Sequence, residues 1–385
     1  MLVLSAFVLL VFAYALVSRR LETTPLTAPI FFTLGGALLL AAPVDPTRLA
    51  AERESLLVIA ELGLVMLLFT DASRVRRRTL AGDRNLPVRL LTIGMLLTIG
   101  LGAAAAMVCF AGLTWWEAGV IAAILAPTDA GLGQVIVSSP RVPARIRQAL
   151  NVEAGLNDGL SVPFLMLFIA LAASASTQAH EVLGRYLLEQ LGYGTAIGLA
   201  IGLGGGWLLG LAQRHRWMSP VLAQLGVVAL PLACFLASEE AGASMFIAAF
   251  VAGLASQAGF PQIGRHSVEF TEDWGQFLNF FVFMLFGLMV GHTLPAIGPM
   301  AWLYALLSLT LVRMVPVALA LAGTGLARST VLFMGWFGPR GLASIVLGLV
   351  TLEQAGVLVA EGTMRQAVMA TVLLSILAHG ISARP

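Results

Sequence analysis

The sequence predicts an all-α polytopic membrane protein of about thirteen transmembrane helices in two inverted six-helix repeats, and three observations predict it. Of 385 residues, 59% are hydrophobic and 11% are charged, against roughly 25% charged in a soluble domain, so water is not the main solvent of this surface. The apolar residues fall in runs near the ~20-residue length that a helix needs to cross a hydrocarbon core of about 30 Å. The starts of those runs recur in the second half of the chain at a nearly constant offset.

Breaks at arginine, proline and polar clusters put the helix starts near Leu2, Ala28, Leu56, Val88, Glu117, Gln148, Tyr193, Met218, Ala243, Trp274, Met300, Thr330 and Gly362. The first run, Met1 to Val17, has no basic residue ahead of it and Arg19-Arg20 behind it. That order is the reverse of a cleavable signal peptide, so it reads as a retained first helix. Ala28 and Ala243 are 215 residues apart, Leu56 and Trp274 218, Val88 and Met300 212, and Gln148 and Gly362 214. An offset of seven spans inverts topology, which is the repeat logic of secondary transporters. Pro127 in the fifth span and Pro339 in the twelfth, 212 residues apart, place an interruption at the same point of each half, and paired interruptions point to a site near the midplane.

All 22 basic residues are arginines. With thirteen spans, sixteen of them fall on one side, including Arg19-Arg20, the Arg74 to Arg78 cluster, Arg141 to Arg147 and the tail Arg384, while Arg48, Arg53, Arg185 and Arg365 fall on the other. The positive-inside rule then sets the N-terminus outside and the C-terminus in the cytoplasm of a bacterial inner membrane. A net charge of +2 without a basic stripe excludes nucleic acid as a partner. The chain shows no polar linker to a soluble regulatory domain, and Cys109 and Cys234, each inside an apolar run, read as packing residues.

Three segments carry chemistry. In the fifth span, Ala126-Pro127-Thr128-Asp129-Ala130-Gly131 interrupts an apolar run that resumes at Val135 to Val137. Proline removes a donor and clashes with the preceding turn, so the helix opens and frees carbonyls beside a carboxylate. The plainer reading is a kink with Asp129 capping a second half-helix. In the sixth span, Asn151 to Gly159 holds Glu153, Asn157 and Asp158. Carboxylates at membrane depth are costly and must face protein or water; Glu153 and Asn157, four apart, share a face, and Asp158 points to another. The plainer reading there is a polar interfacial loop. In the twelfth span, Gly338-Pro339-Arg340-Gly341 buries a guanidinium that cannot shed its charge. Glu153 is its expected partner in a structural ion pair, with Arg313 of the eleventh span as the rival for Glu153, or else a packing or snorkelling residue.

These segments, in this order and in these spans, resemble the monovalent cation:proton antiporters, specifically the NhaP-like sodium/proton branch, over nearly the whole chain. The resemblance implies that family's fold, with crossed broken helices. Residues 88–175 (spans 4–6) and 298–385 (spans 11–13) would form the core transport domain. Residues 1–87 (spans 1–3) and 218–297 (spans 8–10) would form a dimerisation domain, joined through a connector span at 176–217, and the protein would be a homodimer. Asp158 would exchange proton for cation, with Asp129 and Thr128 in the coordination, Asn157 as the neutral neighbour, and Glu153 and Arg340 holding the core. No cofactor is implied, only transported sodium, or potassium or lithium, and protons. Asn157 in place of a second acid implies electroneutral exchange. Two departures stand out: Ala154 occupies the position of a frequent serine ligand, and Asp71, the acid offered by the third span, reads either as a ligand or as a solvated helix-end acid beside Arg74. Glu61 reads as a gate, a packing acid or a ligand, and Glu239 and Glu240 as acids of a solvated funnel.

The physics of exchange follows from one competition. Carboxylate and carbonyl oxygens suit a hard cation, the same carboxylate binds a proton instead, and an occupied, neutralised core crosses where an empty anionic one does not. Rival readings are weaker in the residues. Gly131-Leu132-Gly133 is followed by Gln134, which spoils the Gly-Leu-Gly-Asp motif of an intramembrane aspartyl protease, and charges gathered at one depth do not line a channel. A same-fold exporter of potassium or another solute is the nearer rival, and a non-transporting sensor is opposed by the intact acids.

Overall fold

Apolar runs of this kind satisfy their backbone polar groups inside a bilayer only as helices or closed barrels, and helices are what form. The structure, a computed structural model, describes residues 2–21, 24–39, 46–74, 85–129, 131–132, 139, 141–177, 184–186, 188–260, 265–353 and 360–383. Among these the regular elements are all helical. They are α1 (Leu2–Leu21), α2 (Ala28–Leu38), α3 (Pro46–Arg74), α4 (Asn85–Cys109), α5 (Trp115–Leu125), α6 (Ala144–Thr177), α7 (Gly194–Arg214), α8 (Pro220–Ala241), α9 (Met245–Gly259), α10 (Arg265–Thr293), α11 (Pro299–Leu309), α12 (Leu311–Ala320), α13 (Arg328–Trp336), α14 (Leu342–Glu353) and α15 (Glu361–Ser382).

Nine of the described helical segments are long and apolar enough to cross a membrane, and Ala28–Leu38, Trp115–Leu125, Met245–Gly259 and Leu342–Thr351 are shorter apolar helices. Together they account for the thirteen expected segments: α11 and α12 make the eleventh, and α13 and α14 the twelfth. Most start within a few residues of the sequence reading. The exceptions are α3, which starts at Pro46, and α10, which starts at Arg265; both extend past their apolar runs through polar turns that hydropathy does not register. The basic residues Arg76 to Arg84 and Arg384, and the resumption of the fifth span at Val135 to Val137, lie outside the described residues.

The chain divides into two compact units, one of residues 1–60, 85–157 and 279–385 and one of residues 61–84 and 158–278. In the first unit an aromatic cluster ties α1, α2 and α10 together: Phe32 stacks on Phe280 at 4.6 Å and Phe7 meets Phe281 edge-on at 5.1 Å. Helices α2 and α10 touch backbone to backbone, since a Cβ at Gly36 would lie 1.9 Å from the Met284 carbonyl oxygen and one at Gly287 1.9 Å from that of Thr33. Thr114 and Glu117 form a capping box that starts α5, and Glu117 Oε1 also accepts from the Ala360 N–H at 3.1 Å, just before α15. One buried acid therefore satisfies free donors at two helix starts.

In the second unit α7 lies against α9 through Gly194, Gly198, Gly202, Gly206 and Gly210, one glycine per turn. Small residues at this spacing let helices approach closely where the hydrophobic effect gives no drive. The opposite face of α7 exposes Leu199, Leu203, Trp207 and Leu208, as a lipid-facing surface does. Cys109 and Cys234 are free and buried. Glu239 and Glu240 are exposed at the end of α8.

Candidate functional site

Helix α5 has 11 residues, a rise of about 16 Å, so it ends near mid-depth of a core of about 30 Å. Past it, Ala126 to Asp129 leave the helix, and residues 131–132 are helical again. Helix α13 has 9 residues, and Phe337 to Gly341 likewise run outside regular helix before α14. The two prolines thus open two helices, and the openings meet. The Asp129 N–H donates to the Pro339 carbonyl at 2.8 Å. Asp129 Oδ1 accepts from the N–H groups of Gly131 at 2.7 Å and Leu132 at 3.1 Å, while Oδ2 accepts from the Leu342 N–H at 2.7 Å. This carboxylate accepts from the N–H groups where residues 131–132 turn helical and where α14 begins, so the capping alternative for Asp129 describes its contacts at both breaks.

Arg340 closes the crossing from the other side. Its side chain is fully buried, and Nη1 donates to the carbonyls of Ala126 at 2.6 Å and Pro127 at 3.0 Å, freed by the first break. Ser344 Oγ donates to the Ile124 carbonyl at 2.7 Å. The Arg340 N–H itself donates to Ser375 Oγ at 2.6 Å.

The expected pairing of Glu153 with Arg340 is corrected by the geometry. Glu153 Oε1 receives Arg313 Nη1 at 2.6 Å, and both side chains are about 5% exposed or less. Arg313 reaches it across Gly338, where a Cβ would lie 2.3 Å from Arg313 Nε. Arg340 turns to carbonyl oxygens, which the first break supplies at the tip of its side chain. Gly341 has the matching task, since a Cβ there would lie 1.9 Å from Asp129 Oδ2. The two glycines of Gly338-Pro339-Arg340-Gly341 each make room for one charged side chain.

Asn157 joins the same site from α6. Its Nδ2 donates to Thr128 Oγ1 at 2.6 Å, and its Oδ1, buried, has no hydrogen-bond partner among the described residues. Thr128, Asp129, Asn157, Glu153 and Arg340 are therefore brought together in the first unit, with Arg313, the rival named from the sequence, as the partner of Glu153. Asp158 and Asp71 belong to the second unit. Asp158 follows Asn157 on α6 and is half-buried, its carbonyl accepting from Ser161 Oγ at 2.8 Å. Asp71 is half-buried on α3, three residues before Arg74, which pairs with Glu272 of α10. Glu61 is buried on the same helix. Ser375 and Ser344 were not singled out from the sequence; hydroxyls in apolar helices carry no signal of which carbonyl or N–H they meet.

A carboxylate at the meeting of the two breaks, a threonine hydroxyl and an amide oxygen make a buried set of hard oxygen atoms. The profile described as the transmembrane sodium/hydrogen exchanger family matches residues 6–385. The chain belongs to that family. A K(+)/H(+) antiporter NhaP of Alkalimonas amylolytica is 26% identical over 76% of this chain and 50% of its own length. A Na(+)/H(+) antiporter, ApNhaP, of Aphanothece halophytica is 26% identical over 84% of this chain and 63% of its own. The chain thus spans half to under two thirds of these relatives. The sodium proton antiporter MjNhaP1 of Methanocaldococcus jannaschii shares the fold, with a TM-score of 0.73, 21% identity and 99% coverage of both chains.

Proposed function

We propose that this member of the sodium/hydrogen exchanger family exchanges a monovalent cation, sodium first, for protons by alternating access, one for one. The observation that carries the reading is Asn157 bonded to Thr128 at the first break, with Asp158 the next residue on the helix. Asp158 is the carboxylate that takes a proton or a cation in turn. Thr128, Asp129 and Asp71 join the coordination, and Asn157 is the uncharged neighbour that keeps the exchange electroneutral. Buried acids in a membrane segment are expensive and are kept for ions or protons. The hydroxyl of Thr128 and the amide oxygen of Asn157 add the hard neutral ligands that sodium takes.

Further parts of the reading are the homodimer, the N-terminus outside with the C-terminus cytoplasmic, and the assignment of residues 88–175 and 298–385 to the moving core. Potassium is the second reading, favoured by the potassium/proton names of several relatives, among them the one in Alkalimonas amylolytica.

The test is dissipation of a pH gradient in proteoliposomes with each alkali cation, at clamped and unclamped potential. Sodium is expected to drive the largest response, with no dependence on potential. Asp158→Asn is expected to abolish it in a protein that still folds. Full exchange by Asp158→Asn would remove that residue from the role, and a rate that follows the clamped potential would remove the one-for-one stoichiometry.

A further inference from the structure

Helix α15 turns two polar side chains, Ser375 and His379, toward the second break, and both are buried, at 0% and 1% exposure. Four residues apart, they share a face. His379 Nε2 lies 2.9 Å from the carbonyl oxygen of Trp336, the last residue of α13. His379 Nδ1 lies 3.1 Å from Ser375 Oγ and 3.0 Å from the Ser375 carbonyl oxygen. Ser375 Oγ in turn accepts the Arg340 N–H at 2.6 Å. Trp336 and Arg340 are the two sides of the break, so one pair of side chains grips both.

The two neutral tautomers satisfy different numbers of groups. With its hydrogen on Nε2 the ring donates to the Trp336 carbonyl at 2.9 Å and Nδ1 can accept from the Ser375 hydroxyl at 3.1 Å; with the hydrogen on Nδ1 it donates to the Ser375 carbonyl at 3.0 Å and leaves an Nε2 lone pair against the Trp336 oxygen. An imidazolium would add a charge in a buried site whose described bonds for His379 go to Trp336 and Ser375, neither of them a carboxylate. The neutral ring therefore accepts at Nδ1, and the Ser375 hydroxyl is the donor that faces it. The chain runs in one direction: Arg340 N–H to Ser375 Oγ, Ser375 O–H to His379 Nδ1, His379 Nε2–H to the Trp336 carbonyl.

We propose that Ser375 and His379 are positioning residues for cation binding, holding the second break in the pose that lets Arg340 and Asp129 hold the first. The link is geometric. Arg340 has its N–H on Ser375 and its guanidinium on the carbonyls of Ala126 and Pro127, next to Thr128 and Asp129. A shift of the Arg340 backbone displaces the oxygen atoms of the first break. The role rests on the exchange reading above; the hydrogen-bond chain does not.

Two measurements separate them. Nitrogen NMR of the histidine-labelled protein in bilayers, with His379→Gln identifying the resonances, is expected to show a neutral Nε2–H ring whose Nδ1 signal moves when Ser375→Ala removes its donor. An Nδ1–H ring, a cationic ring, or an Nδ1 signal indifferent to Ser375→Ala overturns the chain. In proteoliposome exchange, Ser375→Ala is expected to raise the half-saturating cation concentration about tenfold, as loss of one well-made hydrogen bond to the break would. His379→Gln is expected to raise it as well, with the maximal rate nearly kept, and Ser375→Thr, which keeps the hydroxyl, is expected to restore it. A fall in maximal rate alone, at unchanged half-saturation, means fewer folded molecules and overturns the positioning role. Absence of exchange by the wild-type protein with every alkali cation overturns the function, and the positioning role with it, while the NMR result stands by itself.

Discussion

Asp129 Oδ2 stands 2.7 Å from the backbone nitrogen of Leu342, so the carboxylate that accepts from Gly131 and Leu132 after the first break also caps the start of α14 after the second. Helix starts leave N–H groups without partners and carry partial positive charge, and here two of them converge on a single acid. A residue that reads from sequence as a ligand for a cation is at the same time the joint of the two breaks.

Asp129→Ala is therefore expected to lower stability as well as exchange. At about 1 kcal/mol for each lost cap, the cost is about 2 kcal/mol. Asp129→Asn keeps one carbonyl oxygen and is expected to lose about half as much stability, while exchange falls in both. Thermal unfolding in detergent, beside the proteoliposome assay, separates the two effects. An alanine variant as stable as the wild type would show that the caps contribute nothing.

The breaks were legible in the sequence because proline has one mechanical effect and because Pro127 and Pro339 stand at matching places in the two halves. Their meeting was legible only as the expectation of a crossed fold. The partner of Glu153 was not legible. Arg313 and Arg340 are both buried arginines, and choosing between them needs the direction of each side chain around its helix. The clue lay in Gly338, whose missing Cβ is the space Arg313 passes through. Ser375 and His379 are spaced to share a face, but nothing in an apolar helix tells which backbone atoms that face meets.

Gly341→Ala and Gly338→Ala test the two clearances separately. The new methyl meets Asp129 Oδ2 in the first and Arg313 Nε in the second, at 1.9 and 2.3 Å before any relaxation. Overpacking of this kind costs about 1 to 3 kcal/mol, and here each clash also disturbs a charged group. Gly362→Ala, with no atom within 4 Å of its Cβ, serves as the control. Gly341→Ala is expected to depress exchange most, because it displaces the carboxylate of Asp129; wild-type exchange by that variant would contradict the geometry.

Glu153 and Arg313 are suited to a double-mutant cycle. Removing either partner strands a buried charge, at a cost of about 3 to 5 kcal/mol, whereas replacing both with apolar residues of similar volume is close to neutral. Glu153→Leu and Arg313→Met are each expected to be strongly destabilised, and the double variant to recover most of the loss. The same cycle run with Arg340→Met in place of Arg313→Met is expected to show no recovery, because Arg340 Nη1 is bonded to the carbonyls of Ala126 and Pro127. Recovery with Arg340→Met would restore the pairing first expected from the sequence.

The glycine seam of the second unit offers a comparison inside one helix. Gly202 and Gly204 are two residues apart on α7, so they share length, backbone and depth but point to different sides. A Cβ at Gly202 would lie 2.6 Å from the carbonyl oxygen of Ala252 on α9, and one at Gly204 would meet nothing within 4 Å. Alanine in place of a helical glycine with space around it stabilises by about 0.4 to 1 kcal/mol, by restricting the unfolded chain. Gly204→Ala is thus expected to raise the unfolding midpoint slightly. Gly202→Ala is expected to lower it, because α7 and α9 must move apart and lose the close backbone approach along the whole seam. Equal midpoints for the two variants would mean that the helices are not held at this distance in the bilayer.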